Sequence, residues 1–302
     1  MKYGVREICN VFVKAKVNGQ KVGNKTYSAG QPVCHFDSLK TSTVEGAATT
    51  VYATGGRGNP RLMSWDGERT LTFTMEDALI SEVGIALLTG AGLIEASEEK
   101  PIYQHTTIMG NVKGQTITLI DAEKVTNMFI TEDASDYPVY VAALDSEGSV
   151  TGEFVKITGT YEAGKITVTE GTLAEGVCLV DCYQKKASGM VQIDIEPGKF
   201  GGNYYFEAET LFRCADGSDV AAEFIIPNGK IQSNFTFSMA SSGDPSTFTF
   251  TVDAFPGVTK SDPTKKVLAS IQMAVGADSA DEVDYPNATP SHTTGNTVDD
   301  GE

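Results

Sequence analysis

Histidine and tryptophan are scarce in this chain, with three of the first and one of the second in 302 residues. His105 and His292 have no convincing partner for acid–base or metal chemistry. His35 adjoins Cys34 and lies two residues from Asp37, but neighbouring strand residues point to opposite faces, so Cys34 and His35 do not share one metal. Basic residues are also few: 23 Lys and Arg stand against 40 Asp and Glu, a net charge of -17. That balance excludes a nucleic-acid binder, which needs clustered cations to displace counterions from phosphate. No apolar run reaches the roughly 18 residues that span a bilayer, and charges interrupt the apolar start of the chain. The expectation is therefore synthesis and folding in the cytosol, with no membrane partner.

The five cysteines, Cys9, Cys34, Cys178, Cys182 and Cys214, are odd in number and scattered. Small disulfide scaffolds have even, closely spaced sets, so these read as reduced, buried thiols. Cys178 and Cys182 fall on one face of a strand, two pleats apart, yet a metal there would need two further ligands. The segment GGRGNP at 55–60 has glycines but neither Walker spacing nor a strand-to-helix setting, and reads as a hairpin loop. Paired acids such as Glu76 with Asp77, or Glu207 with Glu209, have the composition of glycosidase carboxylates. Acids are too common in this chain for that spacing to mean catalysis. The expectation is a protein that is not an enzyme and holds no cofactor or metal.

What is present is alternation with a period of two. Leu71, Phe73 and Met75 alternate with Thr70, Thr72 and Thr74; Phe235, Phe237 and Met239 with Asn234, Thr236 and Ser238; Phe248, Phe250 and Val252 with Thr247, Thr249 and Thr251. Such a pattern marks antiparallel strands with one buried face. Asp216-Gly217, Pro227-Asn228-Gly229 and Ser242-Gly243-Asp244-Pro245 read as the turns between them, giving a four-strand meander from Tyr204 to Phe255. One segment differs. Leu79, Val83, Ala86 and Leu87 have helical spacing, with Thr74 and Asp77 as a capping box and Gly90 as the stop.

The fold class expected is thus mostly β, an antiparallel sandwich or barrel-forming unit with one flanking α-helix. Shorter strands, TITLI, YVAAL, KITVT and VCLVDCYQ, read as a small sandwich inserted at 112–186, with extension of the main sheet as the alternative. The outer parts are then 1–111 and 187–277. Residues 278–302 hold seven acids and no base, lack hydrophobic periodicity, and read as a flexible acidic tail.

Two stretches, CHFDSLKTSTVEGAATTVYATGGRGNPRLMSWDGERTLTFTMEDALISEVGIALLTGAG and YYFEAETLFRCADGSDVAAEFIIPNGKIQSNFTFSMASSGDPSTFTFTVDAFP, together resemble the tail tube proteins of long-tailed bacteriophages. The order of elements carries the likeness: a polar hairpin ending in Gly-Gly-Arg-Gly, a strand running into one helix, then a late meander. The resemblance covers residues 1–94 and 188–275. It implies a structural virion protein assembled in the host cytoplasm, whose subunits form six-fold rings around a continuous inner barrel. The rings stack into a hollow conduit, with tail sheath, tape measure and baseplate proteins as further partners. DNA is then a cargo that must slide without sticking, for which an acidic wall is suited.

On this reading Glu207 and Glu209, which share the face of YYFEAETLFR opposite Phe206 and Phe212, are candidates for the lumen. Lys14, Lys16, Arg57 and Arg61 are candidate contacts between subunits. Head decoration or baseplate proteins, a β-sandwich surface adhesin and a carbohydrate-active enzyme are the alternatives.

Overall fold

The computed structural model describes residues 2–5, 7–125, 128–130, 137–236, 241 and 247–274. The acidic tail, Phe237, Met239 and the segment Ser242–Pro245 lie outside the described residues. The chain divides into two compact units, Met1–Ala91 with Ile195–Glu302, and Gly92–Asp194.

The first unit contributes β1 (Tyr3–Val5), β2 (Asn10–Ala15), β3 (Gln20–Val22), β4 (Lys25–Tyr27), β5 (Pro32–Phe36), β6 (Leu39–Thr54), β7 (Arg61–Asp77) and α1 (Glu82–Thr89) before the second begins. The second holds β8 (Leu93–Glu95), β9 (Ile102–Lys113), β10 (Thr116–Leu119), a 3-10 turn, β11 (Met128–Phe129), β12 (Val139–Leu144), β13 (Val150–Glu162), β14 (Lys165–Glu170), β15 (Gly176–Lys186) and β16 (Val191–Ile193). The chain then returns to the first unit with β17 (Asn203–Cys214), β18 (Asp219–Ile231), β19 (Phe248–Ala254), β20 (Gly257–Val258), β21 (Lys266–Val267) and β22 (Ser270–Met273). The protein is mostly β, all its described strand pairs are antiparallel, and it has one α-helix, as its alternation predicts.

The spine of the first unit is the long hairpin β17–β18. Its main sheet runs β5-β2-β17-β18-β19-β7-β6, while β1 flanks β17 and β22 flanks β18 towards the hairpin turn. Alternate residues of five strands fill one core: Val11 and Val13, Phe206 and Ala208, Ile226 and Ile231, Phe250 and Val252, Phe73 and Met75. The helix covers this core with Leu87 and Leu88, and its Gly84 lies against the Phe36 and Phe250 rings, themselves 4.9 Å apart.

Three expectations about this unit need correction. The helix starts at Ser81, whose hydroxyl accepts from the Gly84 N–H, so Thr74 and Asp77 are not its cap. They belong to β7, where the buried Asp77 carboxylate takes a hydrogen bond from the Ser38 hydroxyl. Gly90 does end the helix, in the left-handed conformation at φ 68. Pro227-Asn228-Gly229 is not a turn but part of β18, where Tyr204 pairs with Gly229 and Phe206 with Ile226, an extra residue on the β18 side. A proline without an N–H is tolerated at such a bulge. The late meander has three strands among the described residues, because Gln232–Thr236 follow β18 without pairing as a strand.

The second unit is a barrel. β15 pairs with β9 on one side and β12 on the other, and the path β15-β12-β13-β14-β10-β9 returns to β15. It is neither an open sandwich nor an extension of the main sheet. It also begins 20 residues earlier and ends 8 later than 112–186, because β9 pairs with β15 along its whole length and β8 pairs with β16. Its interior holds Ile108, Ile117, Ile157, Ile166, Val180 and both Cys178 and Cys182. Ile117→Ala is expected to destabilise this barrel by about 2–5 kcal/mol, the sum of lost transfer energy and an unfilled cavity. Denaturant unfolding of the full chain measures it; a loss below about 1 kcal/mol would mean that the barrel core is not tightly packed.

Candidate assembly surface

Beyond the body of the first unit, β6 and β7 continue as a two-stranded arm. From Thr43 to Thr70 almost every residue is exposed, on both faces of the ribbon. Residues 46–54, nine in all, extend roughly 30 Å at the ordinary rise of a strand. The tip is the loop 55–60, closed by hydrogen bonds from Gly55 N–H to Pro60 O and from Asn59 N–H to Gly56 O, which makes the glycine-rich segment a hairpin loop.

The arm is not polar throughout. Val51 pairs with Trp65 and Ala53 with Met63, so these four share a face, and Leu62 lies beside them. Val51 is 62% exposed, Leu62 66%, Met63 58% and Trp65, the single tryptophan of the chain, 53%. An isolated two-stranded ribbon is marginal in water, and exposed large apolar side chains make this one a candidate contact surface. Arg57 sits at the tip, and the Arg61 guanidinium lies over the Tyr52 ring, 4.0 Å from its centroid.

On the body, the polar face of β17 looks away from the core, as Phe206 and Ala208 buried on the other side require. Glu207 and Glu209 both lie on it, but in unlike settings. The Glu207 carboxylate bridges two lysines, Lys14 on β2 and Lys260, the latter at 3.1 Å. Burial alone would raise its pKa, but hydrogen bonds from Lys14 and Lys260 outweigh burial and hold it below the usual glutamate value. Lys14 is thus partnered within its own chain. Lys16 likewise donates to the Asn228 side-chain oxygen at 2.6 Å, and Asn203 donates to the same oxygen.

Among the described residues Glu209 has no cationic partner. It stands directly across from Glu223 on β18, and Glu223 lies near Glu207 as well. Burial, then the charges of Glu207 and Glu209, push the Glu223 pKa up. Lys260 and Glu223 were not legible as members of this face from sequence. The alternation of VAAEFII does put Glu223 opposite Phe224, but only the register of β18 against β17 sets it against Glu209.

Of the histidines, His105 does have a partner that its sequence neighbours do not reveal: its Nε2 lies 2.5 Å from Asp181 Oδ1, at an exposed position across β9 and β15. His35 stacks on Phe12 with ring centroids 4.1 Å apart. Burial pushes the Cys34 thiol up to about 11 and the Cys182 thiol to about 12, which suppresses the reactive thiolate. Among the described residues no three metal-ligating side chains cluster.

An antiparallel β unit with a long arm exposed on both faces has the build of a structural protein. The chain belongs to the YomU/Tube protein family, whose model matches residues 20–269, and it is a phage tube-like structural protein. The matched span runs through the inserted barrel. No curated protein matches the chain at a significant level.

Proposed function

We propose that this chain polymerises as stacked hexameric rings into the hollow tail tube of a long-tailed phage, through which DNA passes. The observation that carries this reading is the arm of residues 43–70 in a chain of the Tube family. A ribbon of that length with Val51, Leu62, Met63 and Trp65 in water gains stability only when a neighbouring copy covers it. The main sheet also ends in two edge strands, β5 and β6, and ring closure across subunits removes such edges. A net charge of -17 suits a conduit for a polyanion, since a basic wall would gain affinity from every phosphate that passes.

The purified protein is expected to exchange between monomers and rings or tubes. Electron microscopy should show hollow particles of uniform diameter, and sedimentation should show assembly rising with concentration. A species that stays monomeric at every concentration, even when seeded with native tails, overturns the reading.

A further inference from the structure

Two parts of the first unit carry opposite charge, and among the described residues their charged side chains form no ion pair. One is the distal arm, where Arg57 and Arg61 are the only charged residues between Gly46 and Trp65. Among the described residues neither arginine is ion-paired, although the chain is strongly acidic overall. The other is a groove of about 460 Å³ lined by Glu209, Thr210, Ala222, Glu223, Gln272 and Met273. Two carboxylates meet there across a strand pair, and among the described residues neither forms an ion pair; Lys14 and Lys260, which bridge Glu207, act on Glu223 only through space. Like charges directly opposite one another destabilise a sheet unless a cation joins them.

A guanidinium suits that place because its planar fork donates to two carboxylates at once and stays charged when partly desolvated. The apolar parts correspond too. Met273 of β22 lines the groove and is 40% exposed, and the arm brings Leu62 and Met63 beside its arginines. A second groove, about 500 Å³ at the root of the arm, is lined by Ala47, Arg69, Leu71 and Leu268 among others. It holds an arginine and no acid, so a basic tip is repelled there.

We propose that the arm of one copy docks, through Arg57 and Arg61, in the Glu209–Glu223 groove of a neighbouring copy. The proposal rests on the tube reading and names the surfaces that join its subunits. Donor and acceptor are different patches, so the contact is head-to-tail and propagates from copy to copy instead of closing a dimer. It also assigns Glu209 a role other than facing DNA in the lumen.

The test uses four full-length variants, of which three reverse charge: Arg57→Glu with Arg61→Glu, Glu209→Arg with Glu223→Arg, and all four together. Each pair alone is expected to raise the critical concentration for assembly at least about tenfold, as expected for like charges facing each other at an interface. The four-fold variant is expected to recover most of the loss. Glu209→Gln with Glu223→Gln, which relieves the repulsion inside the chain, should keep the monomer folded by circular dichroism and still weaken assembly. Tubes formed normally by the arm variant or by the Gln variant overturn the docking but leave the tube reading intact. Normal tubes from the Glu209→Arg, Glu223→Arg variant that now retain nucleic acid also overturn it, and place these carboxylates in the conduit. Failure of the unaltered chain to assemble at all instead overturns the tube reading on which the docking rests.

Discussion

Replacing Ala47–Thr70 with a two-residue Asn-Gly turn is expected to abolish assembly while leaving the monomer folded. The join is sterically reasonable, because Gly46 and Leu71 are paired across β6 and β7, and Asn-Gly suits a tight hairpin between such strands. The removed residues contribute nothing to the core: the first buried position on β7 is Phe73, and below the cut β7 still pairs with β19 from Thr72 to Asp77. Melting temperature should therefore change by only a few degrees. Loss of a whole apolar contact surface should raise the critical concentration by at least about a hundredfold, since each buried large apolar side chain is worth about 1.5–3 kcal/mol. Sedimentation and electron microscopy read the first quantity, calorimetry the second. Tubes from the shortened chain would show that the arm is not the joining element, and an unfolded monomer would show that it belongs to the fold.

The parts of this fold that were legible in the sequence are those set by local pattern. Alternation of Phe73 and Met75 with threonines, and of Phe250 and Val252 with threonines, places both strands with the correct faces buried. Gly90 signals the end of the helix because the left-handed conformation there favours a residue without a Cβ. Pro227-Asn228-Gly229 misleads because the same residues serve another purpose. A Cβ on Gly229 would stand 2.6 Å from the Phe206 ring and from a Val252 methyl, so the glycine is required by packing in mid-strand, not by a turn. The barrel escaped the sequence for a different reason. The contact that closes it joins β9 to β15, whose paired residues Ile102 and Lys186 are far apart in the chain, and such pairing leaves no local mark.

The assembly surface divides in the same way. The arm was legible as a hairpin because two long polar strands flank a glycine-rich loop, and Arg57 and Arg61 stand out as the only charges of its distal part, between Gly46 and Trp65. Pairing of Lys14 with Glu207 was not legible, and the sequence reading sends that lysine to a neighbouring subunit. Tyr205 is the residue directly opposite Lys14, and the long lysine side chain reaches diagonally to Glu207. Diagonal neighbours on a sheet depend on register and twist, which no single strand encodes.

That diagonal makes two adjacent carboxylates respond to pH in opposite senses, and Glu207→Lys is the substitution of largest expected effect on the body. It would bring a third ammonium group beside Lys14 and Lys260 at a position whose carboxylate side chain is only 14% exposed. Leaving partly buried like charges without a counter-ion is expected to cost about 3 kcal/mol or more. Glu207→Gln keeps the shape and should cost about 1–2 kcal/mol, between an exposed ion pair and a buried one. Because the folded-state pKa of Glu207 is lowered, its stabilisation is present above the ordinary glutamate value and is lost as pH falls through the folded one. Glu223 runs the other way. Its raised pKa means that the folded chain holds that proton more tightly than the unfolded chain, so ionisation at neutral pH costs stability and acidification towards the ordinary glutamate value removes the cost. Glu223→Gln is therefore expected to melt above the unaltered chain at pH 7 and to converge with it near pH 4. Glu207→Gln should melt below it at pH 7 and converge only at still lower pH. Melting curves of the three chains from pH 3 to 7 decide the matter, and a Glu223→Gln chain that melts lower than its parent at pH 7 would mean that a cation already neutralises Glu223 within the monomer.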